Sequence, residues 1–317
     1  MKKLRQLGKN LLFWVPVIVI SWLLVNYVVT NYEKGIYKAP GDMVQVYGNK
    51  MHIYSKGKGK NVVVLLPGLK TIAPIMDFKP LVNELSKKNR VVVIEPFGYG
   101  YSETTSRERT VKCISEEINK VLANIGIKDK VVLMPHAESG IYAIYYANRY
   151  PDQVKAIVGI DCMLPNMQTY IRDYYKKSAM VMKYMKVIGI PRIEVTCNSK
   201  KYLPDKNNPA YSKKEREIMK AITIWNLYND NLLDERNRLM VNMEETIKMQ
   251  LSDEISVLFF YTKGSKVSEF YNEYIRHSVY SELVQLDGDH YQHSNYYKDI
   301  VKKTTDFFKN IDNDKNH

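Results

Sequence analysis

The sequence predicts an α/β fold in which helices cover both faces of a mostly parallel central sheet. Short, continuous apolar runs recur along the chain, and each is followed by loop residues and then by a helical stretch. Strands that are covered on both faces have this composition, and their regular alternation with helices indicates parallel pairing. A longer apolar run near the amino terminus predicts one further helix ahead of the folded domain.

That amino-terminal run has the length and composition of a membrane-spanning helix. Residues 11–30 carry no charge, and at about 1.5 Å per residue they match a hydrocarbon core about 30 Å thick. Residues 1–10 form a basic end, and Glu33 follows the span. We therefore expect a single-pass protein of the cell membrane, with its amino terminus in the cytoplasm and its folded domain outside. A cleaved signal peptide is the alternative, although residues 31–34 offer no small-residue cleavage site.

The composition indicates a folded domain and no metal site. The 317 residues are 45% hydrophobic and 26% charged, which suffices for a large core. The formal net charge is +13, and four of these positive charges lie in residues 1–10. The remaining excess is interleaved with acidic residues, so it predicts a solvated surface facing an anionic membrane or cell wall and no nucleic-acid partner. Because the spacing of Cys113, Cys162 and Cys197 matches no metal motif, we expect neither a metal nor an organic cofactor.

The strands follow a linker at residues 31–43. Alternating apolar residues on either side of Gly48-Asn49-Lys50 predict a β-hairpin made of residues 44–47 and 51–54. Continuous apolar runs predict the parallel strands at residues 61–66, 90–94, 131–134, 156–160, 257–261 and 283–286.

One long interval interrupts this series of strands. Residues 165–250 contain no comparable apolar run and show helical spacing, which predicts a helical lid over the carboxyl edge of the sheet, where ligands bind in open α/β folds. The core then comprises a first part at residues 44–164 and a second part at residues 251–309. Residues 310–317 form a polar tail.

The segment at residues 131–151 predicts a buried strand, a tight turn and a helix, with Ala137 at the apex of the turn. Three further motifs follow predicted strands, at residues 67–69, 95–102 and 287–291. Together, and in this order, the four segments resemble the α/β-hydrolase superfamily across residues 44–309. The resemblance is strongest to bacterial membrane-anchored or secreted members with a P-H-S-x-S-G turn, and it implies the α/β-hydrolase fold.

The resemblance implies a role for each motif. Ala137 occupies the position of the nucleophilic serine at the strained elbow between strand and helix. His290 takes the position of the general base, with His293 as the alternative. Asp161, after the strand at residues 156–160, takes the position of the acid that orients the imidazole, and its alternative role is to cap a helix. The backbone amides of Leu69 and Glu138 are expected to form the oxyanion hole.

Four other side chains are alternatives to the missing serine hydroxyl: Ser139, Glu138, Cys162 and Ser102. Ser139 is the nearest, but as the apex it would place Ile141 where a small residue is needed. The Glu138 carboxylate stands one residue late, and Cys162 and Ser102 are more distant. We expect the side chain of Glu138 to narrow the pocket, to pair with a lysine of the lid or to face solvent.

The remaining histidines have simpler expected roles. His136 is expected to pack or hydrogen-bond near the elbow. Surface positions without a role are expected for four histidines: His52, His277, His293 and His317. Of these four, His293 is also the alternative candidate for the general base.

These assignments predict a membrane-anchored α/β-hydrolase of the serine-hydrolase type, acting on an acyl bond such as a carboxylic ester in a small apolar substrate. A methyl group cannot attack a carbonyl, so the chain as written is expected to turn over poorly or not at all. Whether Ala137 is a natural or an engineered replacement stays open. The alternatives are a ligand-binding protein that has lost catalysis, and His/Asp chemistry that needs no nucleophile.

Overall fold

The computed structural model describes residues 2–171, 178–263, 267–276, 278–287 and 292–314. Within them, one sheet has the strand order β1-β2-β4-β3-β5-β6-β7-β8. β2 pairs antiparallel with both of its neighbours, β1 and β4, and the other neighbouring strands pair parallel. The strands are β1 (Asp42–Val46), β2 (Asn49–Lys56), β3 (Val62–Leu66), β4 (Arg90–Glu95), β5 (Val131–Pro135), β6 (Val154–Ile160), β7 (Ser256–Thr262) and β8 (Ser281–Leu286).

Helices precede β1 and connect or follow the strands from β3 onward. They are α1 (Lys2–Ile36), α2 (Pro74–Asp77), α3 (Lys79–Leu85), α4 (Val111–Asn124), α5 (Ser139–Arg149), α6 (Gln168–Ile171), α7 (Ala179–Val187), α8 (Ile190–Cys197), α9 (Lys213–Asn226), α10 (Asp230–Thr246), α11 (Val267–Ile275), α12 (Gln292–Asn295) and α13 (Tyr297–Asp314). Short 3₁₀ helices lie at Pro151–Gln153, Pro165–Met167 and Ser199–Lys201.

The predicted α/β-hydrolase fold is confirmed, and each strand lies within about two residues of its expected position. The hairpin differs in its turn. Tyr47 and Gly48 alone connect β1 to β2, with φ of +45° and +86°. Two consecutive positive φ values give a type I′ turn, whose twist suits a hairpin, and Asn49 therefore joins the strand and pairs with Val46.

Both faces of the parallel strands are buried, because successive side chains of each strand enter different cores. On one face, Val64 and Leu133 pack with α4 and α5. On the other, Val63 and Val132 pack with α3 and α13. The sheet is thus a covered layer, and its carboxyl edge is where the loops that carry the candidate residues begin.

The amino-terminal helix α1 is longer than expected. It is one helix through Pro16 and continues to Ile36, so residues 31–36 of the expected linker are helical. The part from Leu12 to Ile36 is long and apolar enough to cross a membrane, and its side chains are not buried in the protein. Residues 37–41 then connect α1 to β1.

The described residues between β6 and β7 form helices joined by turns and contain no strand. We call residues 165–250 the helical insertion. Its helix α10 packs against α5 of the core and against α7 within the insertion. The insertion therefore contacts the helix that follows the elbow.

Candidate active site

The elbow is built from the end of β5 and the start of α5. Between them Ala137 is buried and has a φ of +51°, in the left-handed region that side chains other than glycine rarely adopt. Its N–H lies 3.3 Å from the carbonyl oxygen of Ile160, and its own carbonyl accepts a hydrogen bond of 2.7 Å from the N–H of Met163. The loop after β6 thus holds both sides of the apex.

A carboxylate lies against this apex. Oε2 of Glu138 accepts a hydrogen bond of 2.9 Å from the N–H of Leu69, and the Glu138 side chain is 2% exposed. The alternative that this side chain faces solvent is therefore wrong. The physical reason is that the Leu69 amide and the amino end of α5 offer a negative group a favourable position. The amide expected to bind an oxyanion instead binds a carboxylate of the protein itself.

The hydroxyl of Ser139 belongs to the framework of the turn. Its Oγ accepts a hydrogen bond of 2.9 Å from the N–H of His136 and lies 2.8 Å from the carbonyl oxygens of Leu66 and His136. Ser139 begins α5, two residues after the strained apex. A buried hydroxyl in this network ties the elbow to β3 and is not presented to a substrate.

The other candidate nucleophiles are also buried in separate environments. Cys162 is buried, and burial raises the pKa of its thiol far above the usual value, which disfavours the thiolate. The Ser102 hydroxyl donates to the carbonyl oxygen of Glu95 and accepts from the N–H of His52. Neither group lies at the apex between β5 and α5.

Of the two remaining catalytic candidates, the structure describes Asp161 but not His290. Asp161 directly follows β6, has a φ of +42° and donates its N–H to the carbonyl oxygen of Phe260 at 2.8 Å. It lies two residues before Met163, whose N–H bonds the apex. His290 lies outside the described residues, between Asp287 at the end of β8 and α12.

Two histidine rings lie beside the elbow. His136 is buried, with Nδ1 3.0 Å from the hydroxyl of Thr71, so the expected packing role is confirmed. The ring of His293 is also buried, edge-on to His136 with centroids 4.4 Å apart. The expectation of a surface position for His293 is wrong, because α12 returns to Phe78 and the elbow.

A surface position is also wrong for His52. Its Nδ1 lies 2.8 Å from Oε2 of Glu95, and both side chains are fully buried. Burial alone would lower the pKa of His52, but the hydrogen bond and charge of Glu95 outweigh it and raise that pKa. The same carboxylate accepts the N–H groups of Tyr101 and Ile75, so the pair organises the loop after β4. His277 and His317 lie outside the described residues.

A second buried carboxylate escaped the sequence analysis. Glu235 of α10 accepts hydrogen bonds from the hydroxyls of Tyr99 (3.0 Å) and Tyr142 (2.9 Å). Burial raises the pKa of Glu235 to about 7, against the opposing charge of Arg109 and the two hydroxyls. The spacing of Leu232, Glu235 and Leu239 places this carboxylate on the apolar stripe of α10. A sequence pattern with an acid at such a position could have predicted its burial.

The described residues hold no group of three or more His, Cys, Asp or Glu side chains that could bind a metal ion. The groups at the elbow are backbone amides, the Glu138 carboxylate and the rings of His136 and His293. Such groups serve acyl transfer when a nucleophile stands at the apex.

Comparisons with known proteins agree with this architecture. A family model described as the alpha/beta hydrolase fold matches residues 61–177. The uncharacterized protein YbdG of Bacillus subtilis (strain 168) is 31% identical over 264 residues, covering 81% of this chain and 79% of that protein. Serine hydrolase BPHL of Homo sapiens is 28% identical over 182 residues, covering 52% and 62%.

Solved structures show the same fold. An epoxide hydrolase from Vigna radiata superposes with a TM-score of 0.64 at 20% identity, covering 86% of this chain and 98% of that one.

Proposed function

Because this chain belongs to the α/β-hydrolase superfamily, we propose that it is a membrane-anchored member of the serine-hydrolase type whose site is built for an acyl bond, such as a carboxylic ester, and lacks its nucleophile. The observation that carries the proposal is Ala137, buried at a φ of +51° between β5 and α5. As written, the chain turns over esters poorly or not at all.

In this proposal His290 is the general base and Asp161 orients its ring. Two contacts support these roles. Ile160 and Met163, on either side of Asp161, both bond the backbone of the apex. Three residues after position 290, the ring of His293 touches His136, the neighbour of Ala137. The described residues on either side of Asp161, and His293, therefore lie at the elbow.

The side chain of Glu138 is a second obstacle to turnover. In acyl transfer, the backbone amides of Leu69 and Glu138 would stabilise the negative oxygen of the tetrahedral intermediate. The Glu138 carboxylate already bonds the Leu69 amide, so a developing oxyanion would meet a like charge and a filled position. Ala137→Ser alone should therefore recover less activity than Ala137→Ser combined with removal of the Glu138 carboxylate from the oxyanion hole.

Membrane anchoring by α1 is part of the proposal. An exposed apolar helix in water would be unfavourable, and a bilayer is the solvent that fits it. The basic residues ahead of the span favour a cytoplasmic amino terminus and an extracytoplasmic folded domain.

The test compares Glu138→Ala, Ala137→Ser and the double variant Ala137→Ser/Glu138→Ala with the parent, using the full chain in detergent. Readouts are hydrolysis of p-nitrophenyl esters of several acyl lengths and labelling by a fluorophosphonate probe. We expect the double variant to be the fastest, exceeding the parent by roughly 100-fold or more. The single serine variant should fall between them, and Glu138→Ala alone should stay inactive.

Adding His290→Ala to the double variant is the matched control and should abolish the gain. The proposal fails if the double variant, folded by circular dichroism and thermal unfolding, neither hydrolyses any ester nor takes up the probe.

A binding protein without catalysis is the second candidate, and the Glu138–Leu69 contact favours it. A carboxylate in the hole opposes an oxyanion but suits a ligand that presents a hydrogen-bond donor. In that case the elbow keeps its shape for recognition alone, and the double variant would remain inactive toward esters.

A further inference from the structure

An exposed apolar surface lies on the helical insertion, and we call it the α7–α8 face. Its members are exposed and recur at i, i+1, i+4, i+7 and i+8, which is one stripe of a helix. Met182, on the opposite side of α7, is buried. A contiguous apolar stripe exposed in this way marks an interaction surface. The α7–α8 face consists of Met180, Val181, Tyr184, Val187 and Ile188, with Ile193 of α8 nearby.

Helix α1 docks directly beside this face. The indole N–H of Trp22 donates to the carbonyl oxygen of Ile188 at 3.0 Å. The guanidinium of Arg192 bonds Asn26 at 2.8 Å, Thr30 at 2.9 Å and both carboxylate oxygens of Glu33 at 2.7 and 2.8 Å. The segment of α1 from Trp22 to Glu33 therefore contacts the carboxyl end of α7 and the first turn of α8.

These contacts fix the depth of the α7–α8 face relative to the proposed span. The uncharged run begins at Leu11, and a hydrocarbon core of about 30 Å needs about 20 residues, which extends it to about residue 30. From Leu11 to Trp22 the helix rises about 16.5 Å, slightly more than half of that thickness. Trp22 and Asn26 therefore lie within the outer half of the bilayer, and Ile188, bonded to Trp22, lies at the same level.

We propose that the α7–α8 face is immersed in the outer leaflet of the membrane that α1 crosses. The inference rests on the proposed membrane anchoring by α1. Met182, behind the face, belongs to the same buried apolar cluster as Leu69, whose amide lies at the elbow.

Depth-dependent quenching tests this immersion. The full chain carries Cys113→Ala and Cys197→Ser; Cys162 is buried and stays. Single cysteines at positions 181, 279 and 18 are labelled with an environment-sensitive NBD fluorophore in phosphatidylglycerol/phosphatidylethanolamine vesicles with acyl chains brominated near their midpoint. Val181 and Val279 are a matched pair, 57% and 61% exposed. Val279 precedes β8, at the edge of the sheet opposite the carboxyl ends.

We expect the label at position 181 to be blue-shifted and to lose roughly half of its emission in brominated vesicles, as the label at position 18 does, while the label at position 279 keeps its emission. Equal, weak quenching at 181 and 279 with strong quenching at 18 overturns the immersion of α7–α8 and leaves the anchor intact. Weak quenching at 18 overturns the anchor and the immersion together.

Discussion

At the scale of single residues, the elbow is held by very close approaches. Gly68 packs against it so tightly that a Cβ atom there would lie 2.6 Å from the Cβ of Ala137, 2.6 Å from Oε2 of Glu138 and 2.9 Å from the carbonyl oxygen of His136. Distances of this kind require the backbone to shift. The absence of a side chain at position 68 is what lets the Leu69 amide reach Glu138.

Gly68→Ala should therefore destabilise the fold by about 1–3 kcal/mol, the usual cost of overpacking. Gly35→Ala is the control, because a Cβ at that position meets no atom within 4 Å. Urea unfolding of both variants in detergent measures the difference. Equal unfolding free energies would show that the elbow relaxes at no cost, contrary to this account.

The position of the apex was predictable from sequence, but the carboxylate that bonds the Leu69 amide beside it was not. Ala137 follows a continuous apolar strand and precedes a helix, so the turn is a local feature of neighbouring residues. The contact between Glu138 and Leu69 joins residues 69 positions apart. No periodicity reports such a contact, because it depends on how β3 and β5 lie side by side.

At the scale of helices and strands, Arg192 is the link between the proposed membrane helix and the insertion. Its planar guanidinium forms a forked pair with Glu33 and reaches Asn26 and Thr30 at the same time. Hydrogen bonds to charged groups contribute about 1.5–3 kcal/mol each when they are shielded from water. Removing this side chain should loosen α8 from α1 without unfolding the sheet.

We expect Arg192→Met to raise amide hydrogen exchange in α8 by about tenfold, which corresponds to a local loss of about 1.4 kcal/mol. Arg192→Lys keeps the charge but not the fork, so its effect should be intermediate. Arg276→Met, at an exposed position after α11, is the control. Unchanged exchange in Arg192→Met, measured by mass spectrometry, would contradict the link.

Sequence periodicity succeeded for elements whose burial is uniform. The strands at Val62–Leu66 and Val131–Pro135 are apolar at every position, so composition predicted their limits to within about one residue. The end of α1 was missed because polar residues such as Asn31 and Glu33 resemble a linker, whereas Glu33 is held in the helix by Arg192, 159 residues away.

At the scale of the whole molecule, Glu235 joins parts that are distant in sequence. It lies on α10 of the insertion, while Tyr99 follows β4 and Tyr142 belongs to α5, the helix of the elbow. All three side chains are buried. The insertion is thus attached to the core by a polar contact that depends on the protonation of one carboxyl group.

The direction of the pH effect follows from the pKa of Glu235. Burial raises that pKa to about 7 in the folded protein, whereas an unfolded chain has a value near the ordinary 4.5. Between these values the folded state binds a proton that the unfolded state has released. The contribution to stability is therefore complete below about pH 4.5 and is lost as the pH rises through about 7, by about 3 kcal/mol in all.

Glu235→Gln isolates this effect, because an amide does not titrate, and it can accept from one tyrosine hydroxyl through its oxygen and donate to the other hydroxyl oxygen through its NH₂ group. We expect the parent to lose about 2.5 kcal/mol more stability than Glu235→Gln between pH 5 and pH 8, in urea unfolding of the full chain in detergent. Groups that titrate identically in both proteins cancel in this comparison. Glu245→Gln, exposed on the same helix, should follow the parent. If the unfolding free energy of Glu235→Gln changes with pH as that of the parent does, this account is wrong. Glu235 is then ionised in the folded protein, and α10 is joined to the elbow helix through a buried charge.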